Sequence, residues 1–313
     1  MSRQAGLARG LWGVLATPFD PSGARVDGDS LRRQLELLRS VGSRGVVALG
    51  VFGEAARLDA DERSVVAELV AAHAGRLEVV LGLPELTTPD VVTAAQRLTA
   101  AATRPDPILM VQVNRPAAEE LRAHLRAVHE ASGARLVVQD YPAASGVTIA
   151  AAVLADAIDD LPFVTAVKSE APPTSAAIAA LTARSSVPVF GGLGGLGLLD
   201  ELMAGAAGAM TGFSFPEGLA ATLAAFDEGG YEAARRAYLP WLPLVNFEAQ
   251  AGIGLAIRKR SLRQRGVLTS EAVRPPGLAL PPALVPLLDR HLAALPLVAT
   301  DRSTWALRPE SGA

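Results

Sequence analysis

Lysine occurs at only two positions in this 313-residue chain, 168 and 259; the other 27 of its 29 basic residues are arginine. Arginine serves wherever a fixed positive charge suffices, but it stays protonated and cannot form an imine. A desolvated lysine can lose its proton and attack a carbonyl. Lys168 follows the apolar run Val164-Thr165-Ala166-Val167, and neighbours of that kind strip an amine of water, the condition that favours its neutral form. Glu170 comes two residues later, and side chains two apart on a strand share a face. The pair is either a nucleophile with a carboxylate that accepts and returns protons, or an ordinary buried ion pair. A mid-strand lysine in an arginine-rich chain favours the first. Lys259, in the basic helical stretch Ile257-Arg258-Lys259-Arg260-Ser261, reads as structural.

Other chemistries find less support. The chain has no cysteine, which removes thiolate nucleophiles, thiolate metal sites and disulfides. His73, His124, His129 and His291 fall on expected helices, none at metal-binding spacing, so a metal-dependent aldolase is disfavoured. Tyr141 lies outside the C-terminal helices and is a candidate general acid, or else packs below Pro142. Gln139 shares its strand parity; an amide cannot shuttle protons at neutral pH but can hold a carboxylate or hydroxyl. The glycine-rich segment 191–197 offers backbone amides, Gly191 and Gly192 first, to a carboxylate or phosphate, or is simply a tight turn. Thr211 and Ser214 are placed to line the same pocket, and Glu54 to tie loops together.

These residues need elements to position them. Short apolar runs at 11–17, 45–50, 77–83, 108–113, 135–141, 164–170, 187–193 and 208–215 are rich in Val and Leu and mostly do not alternate, as parallel strands buried on both faces should look. Between them lie helical stretches: a Leu31–Leu35–Leu38 stripe, then Val65, Val66, Leu69 and Val70 closed by Gly75, then a start at Thr88-Pro89-Asp90 with a capping hydroxyl. Eight such alternations predict an α/β fold, a closed (β/α)8 TIM barrel, whose active site lies at the C-terminal strand ends. An open doubly wound sheet is less favoured, since no Gly-x-Gly-x-x-Gly turn follows the first strand. The expected division is a barrel over 1–217 and a C-terminal helical region over 218–313, with helices at 219–227, 231–238, 241–265 and 282–295. The tail at 300–313 reads as a surface extension pinned by Trp305. A net charge of -3 gives no reason to expect nucleic acid. No apolar run reaches membrane-spanning length and residues 1–9 lack a signal core, so a cytoplasmic protein without membrane contact is expected.

The order and spacing of several motifs make the chain similar to the dihydrodipicolinate synthase / N-acetylneuraminate lyase family almost end to end. They are Thr17-Pro18-Phe19; Gly50-Val51-Phe52-Gly53-Glu54 with Leu58 and Glu62-Arg63; Asn114-Arg115-Pro116; Pro142 with Gly146; Val167-Lys168; Gly205-Ala206-Ala207-Gly208; and Lys259 with Leu262 and Gly266. The resemblance implies a homo-oligomer, dimer or tetramer, in which Lys168 forms an imine with pyruvate or a related 2-oxo acid, without metal or organic cofactor. It also exposes departures. The family's proton-shuttling strand-five tyrosine is Gln139 here, and the second relay tyrosine is Val113. The threonine pair that helps hold the substrate carboxylate is Val51-Phe52, and the arginine that binds the synthases' second substrate is Ala144. Dihydrodipicolinate synthesis is therefore not expected. The expected activity is a Schiff-base lyase, aldolase or dehydratase, with Lys168, Glu170 and Tyr141 as catalytic candidates. Gln139, Val51, Phe52, Gly191, Gly192 and Thr211 are the candidate binding residues. Val51, Phe52 and Val113 hint at a bulkier or less polar acceptor. The alternative is a catalytically silent relative that binds a small carboxylic acid as a sensor or partner subunit.

Overall fold

The structure, a computed structural model, describes residues 5–296; the tail around Trp305 lies outside them. Eight strands alternate with helices. They are β1 (Gly10–Val14), β2 (Gly45–Ala48), β3 (Glu78–Gly82), β4 (Ile108–Gln112), β5 (Arg135–Asp140), β6 (Val164–Ser169), β7 (Val189–Gly191) and β8 (Gly208–Thr211). All neighbours pair in parallel and β8 closes onto β1, giving the expected closed barrel. The helices are α1 (Gly28–Ser40), α2 (Ala60–His73), α3 (Thr88–Ala102), α4 (Ala118–Ser132), α5 (Pro142–Ser145), α6 (Ala151–Ile158), α7 (Thr174–Thr182), α8 (Leu198–Met203), α9 (Pro216–Tyr238), α10 (Leu242–Glu248), α11 (Gly254–Gln264) and α12 (Val285–Ala293). Among the described residues no helix is long and apolar enough to cross a membrane.

Local chemistry sets the helix starts. Asp27 accepts from the Asp29 and Ser30 amides at α1, and Asp59 with Glu62 forms a capping box at α2. At α3 the capping hydroxyl belongs to Thr87 rather than Thr88, whose hydroxyl instead meets His124. The buried face of α2 runs through Val66, Ala67 and Val70, while Val65 faces out. One large core lies between strands and helices. A second fills the barrel with inward residues such as Trp12, Val47, Val80, Met110, Val137, Ala166, Phe190 and Met210, and Phe52 packs against it. Those inward positions set the parity for the rim: by alternation Gln112, Gln139, Lys168, Gly192 and Gly212 also face inward.

Two boundaries differ from the sequence reading, and both matter for the mouth. The last apolar run stops pairing at Thr211, because Phe213 and Phe215 turn away to pack with Trp241 in a C-terminal cluster. The expected helix 241–265 is broken by a turn at Ala249–Ile253 with Gly252 at φ 81°. In an unbroken helix residues ten apart are about 15 Å apart along the axis. The break folds α11 back on α10, so the Arg258 Nε reaches the Glu248 Oε2 at 3.1 Å.

Candidate active site at the barrel mouth

Lys168 lies at the C-terminal end of β6, 6% exposed, with its Nζ 3.1 Å from the Glu170 Oε2; Glu170 is 5% exposed. Glu170 is held on both oxygens. Its Oε2 accepts from the Gln139 amide at 2.5 Å and its Oε1 from the Leu193 backbone N–H at 3.0 Å. Strand register explains the first contact, since Gln139 and Lys168 are partners across β5 and β6. A glycine explains the second: a Cβ on Gly192 would stand 2.1 Å from the Glu170 Oε1, so any other residue there would displace the carboxylate.

The row continues one strand further. Gln112, the register partner of Gln139 on β4, donates its Nε2 to the Gln139 Oε1 at 2.6 Å. Sequence reading passed over Gln112, although its parity with Ile108 and Met110 on an otherwise apolar strand was a usable signal. Beside it, at the ends of β2, β3 and β4, opens a cavity of about 260 Å3 with an apolar wall that includes Leu49, Leu83, Leu86 and Met110. Val51 and Ala144 also line it, and Gln112, Arg57 and Glu54 supply the polar groups.

The structure brings Lys168, Glu170, Gln139, Gly192 and Thr211 together. Thr211 accepts the Gly194 amide at 2.8 Å and so anchors the glycine-rich loop. The loop amides of Leu193, Gly194, Gly195 and Leu196 are all taken, by Glu170, Thr211, Gly192 and Leu193 respectively. Ser214 is turned to Glu248. Tyr141 is half-buried just past β5; burial first, and then the Glu170 charge, raise its phenol above the ordinary value. Asp140 points to the other face of β5, and burial followed by the Glu170 charge raises it to about 6. Val51 is half exposed at the rim, and Phe52 lies between the barrel interior and the Arg258 guanidinium. Glu54 and Lys259 form a fully buried ion pair away from Lys168, with the Arg274 amide and Arg57 also on Glu54. Among the described residues no three His, Asp or Glu side chains could jointly hold a metal ion.

Gly191 faces the opposite way from Gly192, against Glu201 of α8: a Cβ there would stand 1.8 Å from the Glu201 Oε2. Glu201 accepts from Thr174 at 2.7 Å, and its Oε2 is buried without a partner. Burial, with smaller contributions from the charges of Glu170 and Asp200, raises it from 4.5 to about 7. A carboxyl raised in the folded state holds its proton longer folded than unfolded, so stability is lost as pH rises from about 4.5 to 7. The loss approaches about 3 kcal/mol once Glu201 ionises. Glu201→Gln keeps the acceptor for Thr174 and should flatten that slope. Urea unfolding at pH 5 and pH 8 checks it: the variant gains on the wild type at pH 8 but not at pH 5.

A closed parallel barrel thus carries a buried lysine–carboxylate pair at the C-terminal ends of its strands, the end where barrel enzymes keep their active sites. The chain belongs to the dihydrodipicolinate synthetase family, whose model matches residues 7–287. It is 32% identical over 282 residues to an L-2-keto-3-deoxyarabonate dehydratase of Azospirillum brasilense, spanning 88% of this chain and 90% of that protein. A 4-hydroxy-tetrahydrodipicolinate synthase of Methanothrix thermoacetophila is 28% identical over 302 residues, 94% of this chain and 97% of its own length. The solved dihydrodipicolinate synthase of Rhodopseudomonas palustris superposes with a TM-score of 0.85 at 29% identity, over 94% of this chain and 100% of that one. As a family member the protein is a lyase or dehydratase.

Proposed function

We propose that the protein is a Schiff-base-forming dehydratase of a 2-oxo acid bearing a hydroxyl at C4, with Lys168 as nucleophile and Glu170 as its acid–base partner. The observation that carries this is the 3.1 Å contact between the Lys168 Nζ and the Glu170 Oε2 at the mouth. Glu170 takes the ammonium proton and the freed amine adds to C2; the carbonyl oxygen then leaves as water, carrying one proton from the nitrogen and the one that Glu170 returns, to give an iminium beside an ionised Glu170. Glu170 then removes a C3 proton, and the C3–H electrons flow into the iminium as an enamine. The enamine expels the C4 hydroxyl, which takes the proton back from Glu170 and departs as water. Hydrolysis of the conjugated iminium returns Lys168 and releases the unsaturated 2-oxo acid.

One carboxylate beside the lysine suffices for this sequence, which needs neither relay tyrosine. The likeness to a 2-keto-3-deoxy acid dehydratase supports the same choice over an aldolase. Gln139, Val113 and Ala144 argue against dihydrodipicolinate synthesis, since the strand-five phenol, the second relay phenol and the arginine are all replaced. We take the working form to be a homo-oligomer, dimer or tetramer. The test is borohydride reduction in the presence of pyruvate and longer 2-oxo acids. Mass spectrometry should find a reduced adduct that disappears in Lys168→Ala. No adduct across the panel would end the imine reading. An adduct whose turnover yields two carbonyl fragments instead of water loss would make the protein an aldolase.

A further inference from the structure

Arg258 of α11 is 2% exposed, yet only its Nε has a defined role, donating to the Glu248 Oε2 at 3.1 Å. Its guanidinium carbon lies 4.0 Å from the centre of the Phe52 ring, and Phe52 in turn packs on the barrel interior. The Nη1 is buried without a hydrogen-bond partner. Leaving a charged donor unsatisfied costs about 1–3 kcal/mol or more, so a fold that keeps one calls for a reason.

The surroundings supply it. The free edge faces bare backbone: a Cβ on Gly212 would stand 2.8 Å from the Nη1, and one on Gly194 would stand 3.6 Å from the Nη2. Gly212 has the inward parity of Met210. The amide of Gly194 is tied to Thr211 and that of the preceding Leu193 to Glu170, so the edge abuts the loop that holds the partner of Lys168. In that loop the amides from 193 to 196 are already taken.

The geometry points to Arg258 as the binding site for the carboxylate of the 2-oxo acid, a proposal that rests on reading Lys168 as the imine lysine. The Nε stays on Glu248, Phe52 supports the guanidinium plane, and the Nη edge takes the carboxylate. A planar guanidinium can serve two carboxylates on two edges at once, which an ammonium cannot do with the same geometry. Arg258 lies on the stripe Gly254–Ile257–Arg258–Ser261–Leu262 that faces the protein, all of it buried.

Calorimetric titration with pyruvate in a Lys168→Ala background isolates the carboxylate contact from imine formation. Adding Arg258→Gln should weaken pyruvate binding about ten- to a hundred-fold, in the range of a lost charge-assisted hydrogen bond. Binding of the uncharged pyruvamide should change less than threefold, roughly the resolution of such a comparison. Equal pyruvate affinity with and without Arg258, no pyruvate binding in the Lys168→Ala parent, or equal loss for both ligands overturns the proposal. Arg258→Lys keeps a cation on Glu248 and decides the matter if the glutamine variant does not fold; it too should lose pyruvate at least several-fold, and unchanged affinity counts against us. Borohydride trapping on the wild type reads Lys168 separately. An adduct with unchanged affinity in the arginine variants sinks only Arg258, whereas a selective affinity loss without any adduct sinks only the imine reading.

Discussion

Glu170→Gln is expected to slow turnover by about 10²–10⁴-fold, the usual contribution of a positioned acid–base group, while still giving a borohydride-trappable adduct on Lys168, formed more slowly because solvent must take the ammonium proton instead. The substitution is nearly isosteric, and its oxygen can still accept the Leu193 amide. The lost property is the ability to take a proton from C3 and return it to the departing hydroxyl. Trapping followed by mass spectrometry, with single-turnover product analysis, separates the two steps. Full turnover in the variant would remove Glu170 from proton transfer and return attention to Tyr141.

Glu54→Leu alone should destabilise the protein by about 3–5 kcal/mol, as removal of one partner from a buried ion pair does. Lys259 is 0% exposed, and burial already pushes its amine below the ordinary value against the pull of Glu54. Without Glu54 the amine is depressed further, so the unfolded chain binds a proton that the folded one does not. Stability therefore rises with pH, and the deficit shrinks from pH 7 towards pH 10. Adding Lys259→Met should recover part of the loss, because no buried charge is then left unpaired, although the Arg274 amide and the Ala272 carbonyl still lose their partners. Urea titrations of the single and double variants at both pH values measure this. A single variant within about 1 kcal/mol of the wild type would contradict it.

The barrel could be read from the chain because parallel strands buried on both faces are unbroken runs of Val, Leu and Ala, and every such run contains a strand. Lys168 could be read because its residue type is rare here, and Glu170 because strand parity is strict. Gln112 sits in the right register but is polar without being titratable, so a search for acid–base chemistry passed it by. Arg258 was hidden for a different reason. It occurs in a run of basic residues, and only helical periodicity separates the buried member from its neighbours. Its pairing with Glu248 also depends on a turn at Ala249–Ile253 that the apolar pattern did not announce. The glycine-rich loop reads as an anion cradle, and its amides from 193 to 196 are committed to Glu170, Thr211 and the loop itself.

The row Gln112–Gln139–Glu170 has a direction as well as a composition. A carboxylate only accepts, so Gln139 must turn its NH2 towards Glu170 and its oxygen towards Gln112, which answers with its own NH2. Both amides are thereby oriented by where one proton is absent. In the proposed reaction Glu170 would hold the substrate's proton; placed on the oxygen facing Gln139 it would make Glu170 a donor there, and the same contact would be satisfied only if Gln139, and then Gln112, turned over. The two amides carry no charge and move no proton, yet the orientation they adopt follows from the ionised state of the group beside the lysine, and Gln112 carries it to the edge of the neighbouring cavity.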